Sequence, residues 1–125
     1  MPATISHLQF NVRPANLAFY RDLLSYLGWS PIYDGEEMLG VRGKDGSGLW
    51  FTVQPLEGEN NYDGPGLNHL AIGAESPAEV DAAAGWLREH GVPWLFETPR
   101  HRPDFAESES HTYYQVMFES ADRIL

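Results

Sequence analysis

The chain has no cysteine among its 125 residues. That excludes a disulfide framework, a thiolate nucleophile and a cysteine-ligated metal. Basic residues are also scarce, with 8 Lys and Arg against 18 Asp and Glu, for a formal net charge of −10. Nucleic acid needs a basic face to meet its phosphates, so it is not an expected partner. Anionic membrane surfaces are disfavoured for the same reason, and no apolar run is long enough to span a bilayer. The opening MPATISHLQF lacks the basic-then-apolar pattern of a secretory signal. Together these absences lead to the expectation of a cytoplasmic protein. No G-x-S-x-G elbow and no Walker A motif occur; GKDGSG has the wrong order for a phosphate loop and reads as a hairpin turn.

What is present describes a folded globule. Apolar residues make up 42% and aromatics 13% of the chain, which is enough to bury an ordinary core in one domain over residues 1–125. In ISHLQFNV, Ile5, Leu8, Phe10 and Val12 mostly share one face, and His7, Gln9 and Asn11 share the other. Alternation of this kind predicts a half-buried strand. A helix follows, with Leu17, Tyr20, Leu23, Leu24 and Leu27 at helical spacing and Gly28 at its C-terminal end. Asp34-Gly35 marks a hairpin between two apolar segments, and LWFTVQP supplies the last strand of a strand-helix-strand-strand-strand order.

The second half repeats that order. LNHLAIGA reads as a strand with His69 on one face and Leu70 and Ile72 on the other. Ser76-Pro77-Ala78-Glu79 is a capping box with proline at the first helical position. The predicted helix carries Val80, Ala83, Trp86, Leu87 and His90 along one side and closes at Gly91. PWLFETP is a predicted strand, residues 98–111 a long polar loop, and TYYQVMFE another strand. His7 aligns with His69 and Leu8 with Leu70; after one inserted residue, Leu24 aligns with Leu87 and Gly28 with Gly91. The expected architecture is therefore α+β, with two tandem βαβββ units over about 3–58 and 66–125. If the units pair about a pseudo-twofold, they form a cleft-shaped half-barrel in which His7 and His69 face each other. Two such imidazoles are a usual start for a divalent metal site.

Paired βαβββ units led by HLQFNV and NHLAIG resemble the vicinal oxygen chelate superfamily, which includes glyoxalases, bleomycin-resistance proteins, fosfomycin-resistance enzymes and extradiol dioxygenases. The resemblance covers nearly the whole chain, and HLQFNVRPANLAFYRDLL, GLNHLAI and TPRHRPDF with YYQVMFE carry it. It implies a metal held by the first strand of each unit and by the last strands, with His7 and His69 at two of the ligand positions. It also implies a homodimer. Two departures stand out. LWFTVQP has no carboxylate where a glyoxalase-type glutamate would fall, near Phe51 or Thr52. In FESADRIL, Ser120, Ala121 and Arg123 replace the Asp, Pro and Gly of the family's turn, and the ligand glutamate would fall at position 127, past Leu125. A missing last strand is the first expectation; a degenerate site, or rescue by Glu119 or a partner chain, are the others.

The residues nominated for function follow. His7 and His69 are the candidate metal ligands, for Fe(II), Mn(II), Zn(II) or Ni(II). Gln9, Asn11, Trp50, Thr52 and Tyr114 are candidates for the substrate pocket, each with a competing packing role. His101 and His111 flank the late loop and are candidate proton shuttles, though loop histidines are commonly just exposed. The expected function is a glyoxalase- or dioxygenase-like metal-dependent enzyme, of lyase, isomerase or dioxygenase type, acting on a small oxygen-bearing substrate. The alternative is a metal-free binding protein of the bleomycin-resistance class, with Trp29, Trp50 and Trp94 as stacking surfaces.

Overall fold

A computed structural model describes residues 1–105 and 113–125, and the chain divides into two compact units, Met1–Glu59 and Asn60–Leu125. The fold is small and α+β, as expected. In the first unit, strand β1 (His7–Val12) leads through a short 3-10 turn into helix α1 (Leu17–Tyr26). Strands β2 (Ser30–Asp34), β3 (Met38–Arg42) and β4 (Gly48–Val53) follow. They form a mixed sheet in the order β1-β4-β3-β2, with β1 parallel to β4 and the other pairs antiparallel.

One face of this sheet meets α1 and makes the core. Leu17, Tyr20, Leu23 and Leu24 of the helix are buried with Val12, Leu39, Val41, Leu49 and Phe51 of the strands. Tyr20 stacks on Phe51 with ring centroids 4.4 Å apart, and Phe10 stacks on the same ring at 5.4 Å. The helix stops as its glycine predicts. Gly28 takes φ +84, its N–H bonds the Ser25 carbonyl, and the Trp29 N–H reaches back to Leu24, the paired bonds of a Schellman cap. Arg21 then ties α1 to the predicted Asp34-Gly35 hairpin through the Asp34 carboxylate at 2.7 Å and the Gly35 carbonyl at 3.1 Å.

The second unit contains helix α2 (Pro77–Glu89), strand β5 (Leu95–His101), a 3-10 turn (Pro103–Phe105) and strand β6 (Tyr114–Met117). Ser76 caps α2 by accepting from the Glu79 N–H, while the Glu79 carboxylate accepts from the Glu75 N–H at 2.7 Å. Gly91 (φ +74) closes the helix with a second Schellman cap, bonding Arg88, with Val92 bonding Leu87. The buried face of α2 centres on Ala84 and Leu87. His90 does not join it: the ring is exposed, stacks on Trp86 at 3.7 Å and bonds the Trp86 carbonyl. Trp94 donates from Nε1 to the Ala84 carbonyl at 2.9 Å, and Arg88 lies over its ring.

Two predicted elements differ from expectation. LNHLAIGA is not a strand: residues 67–74 have no regular secondary structure among the described residues. One backbone bond, from the Leu70 N–H to the Leu125 carbonyl at 3.0 Å, stands where a ladder would be needed. PWLFETP does form a strand, but it runs on to His101, into the segment expected to be loop. Phe96 and Glu97 take φ +56 and +57, which shifts the β5–β6 register between Leu95 and Arg100. Thr98 bridges the gap, donating to the Leu95 carbonyl and accepting from the Met117 N–H.

The repeat extends to a turn that the sequence disguises. Between β3 and β4, the Gly43 N–H bonds the Ser47 carbonyl and the Gly46 N–H bonds Gly43, with Gly46 at φ +89. After β6, the Ser120 N–H bonds Ile124 and the Arg123 N–H bonds Ser120, with Arg123 at φ +59. Both are type I turns closed by a left-handed residue. Where the first unit uses glycine, the second uses arginine. The Ser120 Oγ accepts from the Asp122 and Ile124 N–H groups, at 3.2 and 3.3 Å, a role that an aspartate would also fill.

The left-handed region costs a side-chain-bearing residue about 1–2 kcal/mol, and glycine's extra chain entropy offsets about 0.5–1 kcal/mol of any gain from replacement. Loss of the Glu119 ion pair offsets the backbone gain in Arg123→Gly, which is expected to leave stability within about 0.5 kcal/mol, whereas Gly46→Ala should lower it by about 1 kcal/mol. Urea unfolding checks both, as a near-constant midpoint for the first and a lowered one for the second at an unchanged slope.

Candidate functional site

The face of the first sheet opposite α1 is where the chemistry gathers. Residues paired across neighbouring strands project from the same face, so the register defines rows. His7 pairs with Gly48, and Gly48 with Arg42. The next row is Gln9, Trp50 and Gly40; the one after is Asn11, Thr52 and Met38. His7, Gln9, Asn11 and Arg42 are exposed, Trp50 and Thr52 half-buried. Sequence alone left the orientation of Trp50 and Thr52 open. Burial of Leu49 and Phe51 against α1 fixes it, turning both outward.

Two glycines shape the surface. A Cβ on Gly40 would sit 2.5 Å from the Trp50 ring, so the indole lies directly on that backbone. A Cβ on Gly48 would lie 3.2 Å from the His7 Cβ and 3.6 Å from the Trp50 Nε1. Gly48 forms part of the floor of a depression of about 340 Å3, lined by Ser6, His7, Gln9, Arg42, Trp50 and Ile32 among others. His7 is loosely held, its Nδ1 3.5 Å from the Ser6 Oγ. The Thr52 Oγ1 is buried with no hydrogen-bond partner among the described residues.

In the second unit, His69 is exposed, and its Nδ1 lies 2.8 Å from the Asn68 Oδ1. Nδ1–H donation to that oxygen leaves Nε2 open. Tyr114 is turned to α2, donating to the Asp81 Oδ1 at 2.5 Å, and His101 tilts against its ring at 4.8 Å. The three-residue contact of His101, Tyr114 and Asp81 was not anticipated. Asp81 carried no motif, and only helix packing brings it to β6. His111 lies outside the described residues.

A metal requires a donor set, and the donors here fit only its beginning. His7 in the first unit and His69 in the second are exposed imidazoles with chemistry suited to a divalent ion. Among the described residues, no three His, Asp or Glu side chains gather into a metal-binding group. Glu119, the nominated substitute, has a buried Oε2 without a hydrogen bond among the described residues and lies 3.8 Å from the Arg123 Nε.

Comparison with known proteins follows from this geometry. The chain resembles a glyoxalase candidate from Bacillus halodurans, at 28% identity and a TM-score of 0.77, covering 97% of this chain and 90% of that one. This is the fold of the vicinal oxygen chelate proteins. The manganese-bound fosfomycin resistance protein FosX from Listeria monocytogenes matches at 19% identity and a TM-score of 0.69, over 99% of this chain and 86% of that one. A glyoxylase/bleomycin resistance protein/dioxygenase domain from Frankia matches at 17% and 0.65, over 99% and 92%. No protein-family model matches the chain, and no curated protein does. Among vicinal oxygen chelate proteins the fold supports several chemistries, so the site's residues must carry any functional reading.

The Asp81 contact is directly testable. Hydrogen bonding to Asp81, more than burial, holds the Tyr114 phenol above its ordinary pKa of 10.0. The bond's contribution to stability is present below the unfolded value and disappears as pH rises through the folded one. In a spectrophotometric titration, with Tyr114→Phe assigning the Tyr114 signal, Asp81→Asn should bring that ionisation to lower pH.

Proposed function

We propose that this protein is a metal-assisted enzyme of lyase, isomerase or dioxygenase type, acting on a small oxygen-bearing molecule bound at the open face of the first sheet. The observation that carries the reading is the row of His7, Gln9 and Asn11 beside Trp50 and Thr52, a polar face set around a depression. Its small volume suits a compact ligand. Manganese in the FosX complex supports use of a divalent ion by this fold. His7 and His69, equivalent in the two units, would hold the ion. When bound, it supplies Lewis acidity for an oxyanion developing on the substrate. The chain's own residues do the rest: Gln9 orients polar groups of the ligand and Trp50 packs on its apolar part. We further propose a cytoplasmic homodimer; no helix among the described residues is long and apolar enough to cross a membrane.

A metal-free binding protein is the second reading, and one observation favours it. Arg42 lines the same depression as His7, and a guanidinium nearby opposes the approach of a cation. Elemental mass spectrometry on untagged protein separates the two, alongside a His7→Ala/His69→Ala double variant. Near-stoichiometric Fe, Mn, Zn or Ni that disappears in the variant is the expected result. Wild-type protein that stays empty after incubation with each of these ions would leave the binding reading alone.

A further inference from the structure

We infer that the ligand of the first-sheet depression carries one singly charged oxyanion, such as a carboxylate, and that Arg42 binds it. This rests on the reading of that face as the ligand site and names the substrate class it accepts. The starting observation is an imbalance of partners. Arg13, Arg21, Arg100 and Arg123 each hold a carboxylate, Arg88 lies over Trp94, and Lys44 and Arg102 are engaged as well. Arg42 has no ion pair, side-chain hydrogen bond or ring contact among the described residues. In so acidic a chain, an exposed arginine that meets no carboxylate among the described residues is set apart.

Its surroundings supply the rest of an anion site. Arg42 and His7 flank Gly48 in one cross-strand row, so the guanidinium and the imidazole stand on either side of a floor without a side chain. The Trp50 Nε1–H lies on that side, 3.6 Å from where a Gly48 Cβ would be, and has no hydrogen-bond partner among the described residues. The Gln9 amide is likewise unengaged. No Asp or Glu lines the depression. The free groups are therefore chiefly N–H donors around one fixed positive charge, the arrangement that suits an oxyanion accepting from a guanidinium fork. The indole and Ile32, which is 42% exposed, offer an apolar wall for the remainder of the molecule. One guanidinium matches one negative charge. A dianion would bring an unmatched charge into the field of a chain whose formal net charge is −10.

The test is a proton–nitrogen NMR titration of the full chain with benzoate, benzenesulfonate and benzamide, read at the Trp50 indole N–H. Trp50→Phe assigns that signal among the four tryptophans. Both anions are expected to shift it and to bind about tenfold more tightly than the neutral amide, as a charge-assisted hydrogen bond allows. Arg42→Gln should weaken the anions by about tenfold and leave benzamide unchanged; Arg42→Lys should recover part of the loss. Benzamide binding as tightly as benzoate would overturn the inference. So would anion affinity untouched in Arg42→Gln, or no shift with any probe at millimolar concentration. Metal content measured on the same samples keeps the two readings apart. Arg42-dependent benzoate binding in metal-free protein retains the anion site and sinks the metal; metal-loaded protein indifferent to Arg42 does the reverse.

Discussion

Six residues of β1 run parallel to six of β4, from His7 against Gly48 to Val12 against Val53, and that register organises the first unit. Parallel neighbours cannot be joined by a tight turn, so the chain must cross over through α1 and return. The crossover brings Tyr20 onto Phe51 and buries one face of the sheet. Because side chains alternate, burying that face commits His7, Gln9, Asn11, Trp50 and Thr52 to the other. A slip of one residue in β1 would turn that strand over, placing His7, Gln9 and Asn11 against the core and Phe10 in water. Core and candidate site are thus two consequences of one pairing.

Local devices recur where the two units share a task. Both helices end in the same pair of backbone bonds with a left-handed glycine, Gly28 and Gly91. Both late turns place a left-handed residue at the same step, but Arg123 holds that position without glycine's freedom. Its guanidinium is near the Glu119 carboxylate at 3.8 Å and the Tyr62 ring at 5.4 Å. An ion pair this exposed contributes at most about 1 kcal/mol, comparable with the backbone cost at the same residue.

Electrostatics separates the site from the rest of the surface. The ion pairs of Arg13, Arg21 and Arg100 lie on partly or fully exposed side chains, where water screens them. Arg42 keeps its charge for whatever enters the depression. Taken alone, a formal net charge of −10 favours cationic or neutral ligands. Local geometry points the other way, because a ligand meets the groups within a few ångströms before it meets the net charge.

The sequence by itself determined the strand-helix order of the first unit, the faces of β1 and α1, both glycine-closed helices and the Asp34-Gly35 hairpin. These follow from periodicity and from backbone preferences, which act between residues close in the chain. It also carried the likeness of fold, through the repeated histidine-led segments and helix-closing glycines. The tertiary structure decided what depends on distant partners. LNHLAIGA has a strand's alternation but lacks a ladder, since pairing needs a neighbour and not only a pattern. Trp50 and Thr52 acquired a face only when Leu49 and Phe51 found α1. Tyr114 turned to Asp81 because α2 packs beside β6. The isolation of Arg42 was invisible in the sequence for the same reason: whether a charge has a partner is a statement about three-dimensional neighbours, and no spacing along the chain encodes it.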